Sequence, residues 1–174
     1  MKIIDLTIPM HSGMSVYPGD PEVSIELIQT IEKDDWNMRR ILINSHDGTH
    51  VNAPIHCVPN GKNLDDYPLD SFMGPAKLYK EGLEIDSQFG VIFHETNINR
   101  KLADWIIANK PRFVGLSSKF EIDIDIEKEF LVADIMLFER LANTDELPDE
   151  FMFYGIPLKI KDGDGSPVRA FAVT

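Results

Sequence analysis

The residues best suited to chemistry lie in one stretch, Ser45 to His56, which reads SHDGTHVNAPIH. Three of the chain's five histidines, His46, His50 and His56, fall within eleven positions there. Imidazole is the commonest protein ligand for transition metals, and it also carries protons near neutral pH. Gly48 permits a sharp backbone turn, so His46 and His50 can converge without a helix. An extended segment over Thr49–Asn52 puts His50 and Asn52 on one face, because side chains alternate along a strand. Pro54 then redirects the chain, and His56 can return toward the same centre. Spacing alone leaves two readings open, a metal centre and a packed polar turn. The isolated His11 and His94 are read as structural.

Cys57 is the chain's single cysteine, so no intramolecular disulfide can form and no CxxC metal site exists. Any metal must therefore be held by His, Asp and Glu. Cys57 itself has no adjacent basic partner and reads as a small buried residue. Asp162 and Asp164, in DGDGSPV, lack the full calcium-loop pattern with its terminal glutamate, so the stretch reads as a turn. Its Gly-x-Gly has no following helix and is not a nucleotide loop.

The chain that must position these groups has 174 residues, which suits one domain spanning 1–174. Hydrophobic residues make up 43% and charged residues 26%, ordinary values for a globular protein. The net charge of −12 arises from 29 acidic and 17 basic residues. Such a surface repels phosphate backbones and anionic lipid, so neither nucleic acid nor a membrane is expected as partner. The opening MKIIDLTIPMHSG has no long apolar stretch, so no secretory leader is expected and a cytoplasmic location follows.

Pattern and turn chemistry divide the chain into mostly strands. KIIDLTI, VSIELIQTI, MRRILINS, AKLYKEG, GVIFHE and RFVGLSS read as strands, as do FMFYGIPLKI and VRAFAV at the end. From His46 to Asp70 the prolines and Asn-Gly and Asp-Gly pairs argue against regular structure beyond a short strand at Thr49–Asn52. Two helices are predicted, both in the second half. One is NRKLADWIIANK, with apolar residues at Leu102, Trp105, Ile106 and Ile107 and a stop at Pro111; the other is IEKEFLVADI, feeding the apolar run IMLFERL.

HDGTHVNAPIH resembles the HxGTHxDxPxH signature of the metal-dependent cyclase family, whose best-known members are the bacterial kynurenine formamidases. Isatin hydrolase is similar. MHSGMSVYPGDP resembles the family's N-terminal segment, and NGKNLDDYPLDSFMGPA its stretch after the last histidine. LFERL, IPLKI and DGDGSPVRA match its closing pattern in the right order. About half the chain is covered, and the middle from Leu83 to Lys119 is not.

The resemblance implies an α/β fold with a mixed, largely antiparallel sheet and flanking helices, of the swivelling β/β/α type. It implies a divalent metal, zinc first and manganese second. His46 and His50 match two metal ligands, Glu139 matches a metal-binding glutamate, and His56 matches the general acid/base. Tyr17 stands where an aromatic residue lines the substrate pocket. A homo-oligomer is implied in the same way. Two positions depart from the pattern. Asn52 replaces the signature aspartate, and Glu127 stands where a histidine ligand of a second ion is usual. Asn52 is a weaker ligand for a hard ion, so one ion is expected rather than two. The expected activity is hydrolysis of a small-molecule amide of the arylformamidase kind. A related lactone or cyclic-amide hydrolase and a non-catalytic metabolite binder are the alternatives.

Overall fold

The computed structural model describes residues 1–174. In chain order the strands are β1 (Ile3–Asp5), β2 (Ser24–Gln29), β3 (Met38–Leu42), β4 (His50–Asn52), β5 (Met73–Leu78) and β6 (Gly90–Phe93). They continue with β7 (Val114–Ser117), β8 (Leu137–Leu141), β9 (Glu150–Tyr154), β10 (Gly165–Pro167) and β11 (Phe171–Val173). The helices are a four-residue turn α1 (Ile31–Asp34), then α2 (Arg100–Asn109) and α3 (Ile124–Val132). Both predicted helices are therefore present, at nearly the expected bounds. Asn99 caps α2 by accepting from Leu102 N–H, and Asp123 caps α3 by accepting from the N–H groups of Asp125 and Ile126.

Nine strands form one sheet in the order β1-β11-β9-β5-β6-β7-β8-β4-β10. β5, β6, β7 and β8 run parallel to one another, and the remaining pairs are antiparallel. The mixed, largely antiparallel α/β sheet expected from the sequence is present. α2 carries the chain from β6 to β7 and α3 from β7 to β8, as parallel crossovers need, while an irregular stretch joins β5 to β6. β2 and β3 pair with each other alone, outside the large sheet.

The alternation of side chains sorts the core into two faces. Val91, Phe93, Val114, Leu116 and Leu137 pack against Leu102, Ala103 and Ile106 of α2 and Ile126 and Phe130 of α3. Ile92, Phe113, Phe138 and Phe153 point the other way and join Ile4, Leu6, Val51 and Ala172. Glu139 lies two residues from Leu137 and so belongs to the helix-covered face. Register carries that face onto β4, where His50 lies opposite Glu139 and Asn52 opposite Leu137. Val51, opposite Phe138, goes to the other core.

Some expected strands are shorter than their sequences suggested. FMFYGIPLKI is a strand only as far as Tyr154. Beyond it Gly155 packs directly against Phe138 and Phe153, and Pro157 makes a single bridge to Val168. β10 is a three-residue strand at the edge of the sheet where the sequence suggests only a turn, and its edge position tolerates Pro167, which lacks an N–H. Its place beside β4 brings the DGDG turn against the histidine segment. Cys57 is half-buried rather than buried, and burial pushes its thiol up, away from reactivity.

Candidate metal centre

The site grows from the turn that precedes β4. The Asp47 carboxylate, itself buried, accepts from the Asn44 N–H at 2.6 Å, and Gly48 follows with φ +64°. That left-handed conformation suits glycine, and it presents the Gly48 carbonyl to His50, whose Nδ1 lies 2.9 Å away. Next to it, the Thr49 hydroxyl donates to the Arg140 carbonyl at 2.8 Å and accepts from the Ile8 N–H at 2.9 Å. Arg140 is itself left-handed, with φ +57°. One buried hydroxyl thus pins the irregular backbone immediately after Glu139.

Asn52 stands at the centre. Its Nδ2 donates to Oε1 of Glu127 at 2.7 Å and to Oε1 of Glu139 at 2.6 Å. Its Oδ1 faces His46 Nδ1 at 2.8 Å. Glu127 reaches this point from α3, on the helix-covered face, so the structure brings it to the same cluster as the three histidines. Burial and then the Glu139 charge push the Glu127 carboxyl up to about 7, against the opposing pull of His50 and Asn52. Glu139 goes the other way. Burial raises it, but bonds and charge from His50, the Asn52 amide and the charge of His46 more than offset this, and it lies below its ordinary value.

His56 follows β4 on a short 3-10 turn that opens with Pro54. Its ring lies 3.9 Å from that of His46, centroid to centroid, and its side chain is 35% exposed. Nε2 is 3.9 Å from Glu127 Oε1, and Nδ1 is 3.6 Å from Asp164 Oδ2. Burial, then the charge of His46, lower the imidazole below its ordinary value, so it is neutral at pH 7.

The sequence pattern around Asp164 is that of a turn. It immediately precedes β10, and its Oδ2 lies 2.9 Å from His46 Nε2. Ligand atoms of His46, His56 and Asp164 lie within 4.8 Å of one another. The available signal was the resemblance of DGDGSPVRA, which contains Asp164, to the family's closing pattern. Gly165 is needed small there, since a Cβ would lie 2.5 Å from His46 Cε1. Tyr17, by contrast, is 62% exposed, in a turn beyond Met10 and Met14, which pack over Gly48. His11 bonds the neighbouring Ser12 carbonyl, and His94 follows β6; neither is bonded to the cluster.

The donor set fits a divalent cation. His50 Nδ1 has a carbonyl as its partner, so the proton of the neutral ring sits on that nitrogen. In the neutral ring the lone pair on Nε2 then faces a carboxylate, Glu139 Oε1, at 3.5 Å, whereas a protonated ring donates to it. Two acceptors opposed in a buried site need a positive charge between them or a proton on one. A metal-ligating histidine characteristically gives its other N–H to such a carbonyl. His46 is built alike, with Asp164 outside and Asn52 inside. These nitrogen and oxygen atoms could form a mixed shell of the kind that divalent ions take.

The chain is similar to several known proteins. A family model described as "Putative cyclase" matches residues 4–81. A kynurenine formamidase of Salinibacter ruber is 28% identical over 207 aligned residues, covering 98% of this chain and 96% of that protein. A solved isatin hydrolase bound to the product analogue thioisatinate superposes with a TM-score of 0.82 at 17% identity, covering 99% of this chain and 92% of its own. A structure described as a potential metal-dependent hydrolase with cyclase activity gives 0.78 at 24% identity, covering 98% and 96%. These two structures are alike in fold. No helix here is long and apolar enough to cross a membrane.

Proposed function

We propose that this member of the cyclase family is a metal-dependent hydrolase of a small amide, with an N-formyl anilide as substrate class. The opposition of His50 Nε2 and Glu139 Oε1 across 3.5 Å carries the reading, because a bound cation reconciles it. The relationship to kynurenine formamidase over nearly the whole chain supports the substrate class.

His46, His50 and Glu139 would hold one divalent ion, with Asn52 and Glu127 beside it. Such an ion polarises a carbonyl and acidifies a water at neutral pH. The remaining work belongs to the chain. His56, neutral and on the open side of the cluster, takes the proton released on attack and returns it to the leaving nitrogen. The Asn52 amide holds Glu127 and Glu139 apart as separate carboxylates. Tyr17 is proposed to line the substrate entrance.

N-formylkynurenine, isatin and a simple aryl lactone, each offered to zinc- or manganese-loaded protein, test the proposal. Turnover of the formamide above the other two is the expected result. Preference for isatin or the lactone moves the substrate class to cyclic amides or esters. One observation favours a second reading, a non-catalytic binder: both Asn52 donors are satisfied by glutamates with no ion required. Absence of metal from protein purified without chelator, with no turnover after metal addition, establishes that reading instead.

A further inference from the structure

Asp164 is the one carboxylate of the cluster that takes no part in the reading above. Its backbone is tied to the histidine segment, since Ala53 N–H donates to its carbonyl at 2.9 Å. Its side chain works through one oxygen. Oδ2 lies 2.9 Å from His46 Nε2 and 3.6 Å from His56 Nδ1, and it accepts from Ser45 Oγ at 3.2 Å.

His46 has acceptors at both nitrogens, the Asn52 amide oxygen inside and the Asp164 carboxylate outside. A neutral ring has a single N–H to give. A carboxylate accepts it more strongly than an amide oxygen does, so the proton belongs on Nε2. Nδ1 then turns its lone pair to the interior, where Asn52, Glu139 and His50 meet. His50 reaches the same state by giving Nδ1–H to the Gly48 carbonyl. Two neighbouring imidazoles are thus held from outside, one by a backbone carbonyl and one by a carboxylate, and both turn a lone pair inward.

We propose that Asp164 is a positioning residue: it fixes the tautomer and orientation of His46 for the cation. This rests on the metal-dependent reading of the site. It assigns the DGDG turn a role in the centre, although the turn lies more than a hundred residues from the histidine motif.

The test uses no substrate. Metal-stripped wild-type protein, Asp164→Asn and Asp164→Glu are titrated with Co(II), following the visible d–d bands and the heat of binding. Asp164→Asn keeps the shape and an acceptor but loses the charge. It should bind with wild-type stoichiometry and band positions and an affinity about 10- to 100-fold weaker, the usual cost of losing a group that orients a ligand. Asp164→Glu should recover part of that loss. Unchanged affinity in Asp164→Asn overturns the proposal while leaving the metal site standing. Shifted bands or a lost equivalent also overturn it, because Asp164 is then itself a ligand, with His46 and His56. Wild-type protein that takes up no Co(II) overturns this inference and the metal-dependent reading together.

Discussion

His50 Nε2 faces Glu139 Oε1 at 3.5 Å across the β4–β8 ladder, from residues directly opposite in register. Opposite positions on antiparallel strands share a face, so the pair is placed by sheet geometry and needs no loop to form it. Both side chains are largely buried, at 6% and 15% exposure. Replacing either should lower bound metal, because losing one of three or four ligands leaves an incomplete shell. His50→Ala and Glu139→Gln, each purified and assayed for metal per chain, are expected to fall well below wild type. Full occupancy in both sinks the assignment.

His56 is expected to behave differently. Its side chain is the most open of the three motif histidines, and its contacts to Glu127 and Asp164 are long. His56→Asn should retain the metal and lose activity by about 100- to 10,000-fold, the usual worth of general acid–base catalysis. The measurement is kcat alongside metal content. Stoichiometric loss of the ion in this variant makes His56 a ligand.

Glu127 gives a prediction about pH. Its carboxyl is raised from 4.5 to about 7 by burial and by Glu139. Between those values the folded chain holds a proton that the unfolded chain has released, so this group's contribution to stability falls as pH rises through that window. At pH 8 the charged form costs on the order of 3 kcal/mol. Metal-free Glu127→Gln should therefore gain stability over wild type at pH 8 and little at pH 5, by denaturant unfolding. An equal gain at both pH values shows that Glu127 is not held above its ordinary range.

The sequence made the histidine cluster legible because its three imidazoles are local. Gly48 and the alternation of His50 and Asn52 suffice to bring them together. Glu139 and Glu127 came from family resemblance, and the structure does bring both to Asn52. The physical reason could not be read from local pattern, since it lies in the β4–β8 register and in the face that α3 covers. Asp164 was missed for a related reason. DGDG has the composition of a turn, and a turn it is, but its neighbour β10 is three residues long and carries a proline. Nothing in so short a stretch announces that it will pair with β4. The central strands and both long helices were legible because their apolar periods are strong. The parallel order of β5 to β8 is set by long-range pairing that no local pattern encodes.

Asn52 offers the sharpest test of what the cluster is built to hold. Its amide donates to Glu127 and Glu139 at 2.7 and 2.6 Å, an arrangement that lets two carboxylate oxygens approach it without a cation. Asn52→Asp removes those donors and sets a third carboxylate between the two. Without metal the variant should melt below wild type, because like charges are then confined at hydrogen-bonding distance in a buried site. With metal the order should change, since a ligand that binds only the folded state stabilises it more the further its concentration exceeds its dissociation constant, in a logarithmic relation. A harder, charged ligand at position 52 raises the affinity for zinc or manganese, so the metal-induced rise in Tm should be larger in Asn52→Asp than in wild type. The measurement is Tm for both proteins, first stripped with chelator and then with excess metal. An Asn52→Asp variant as stable as wild type without metal, or one that gains no more than wild type from the ion, contradicts the view that this amide does between two glutamates what a cation does elsewhere.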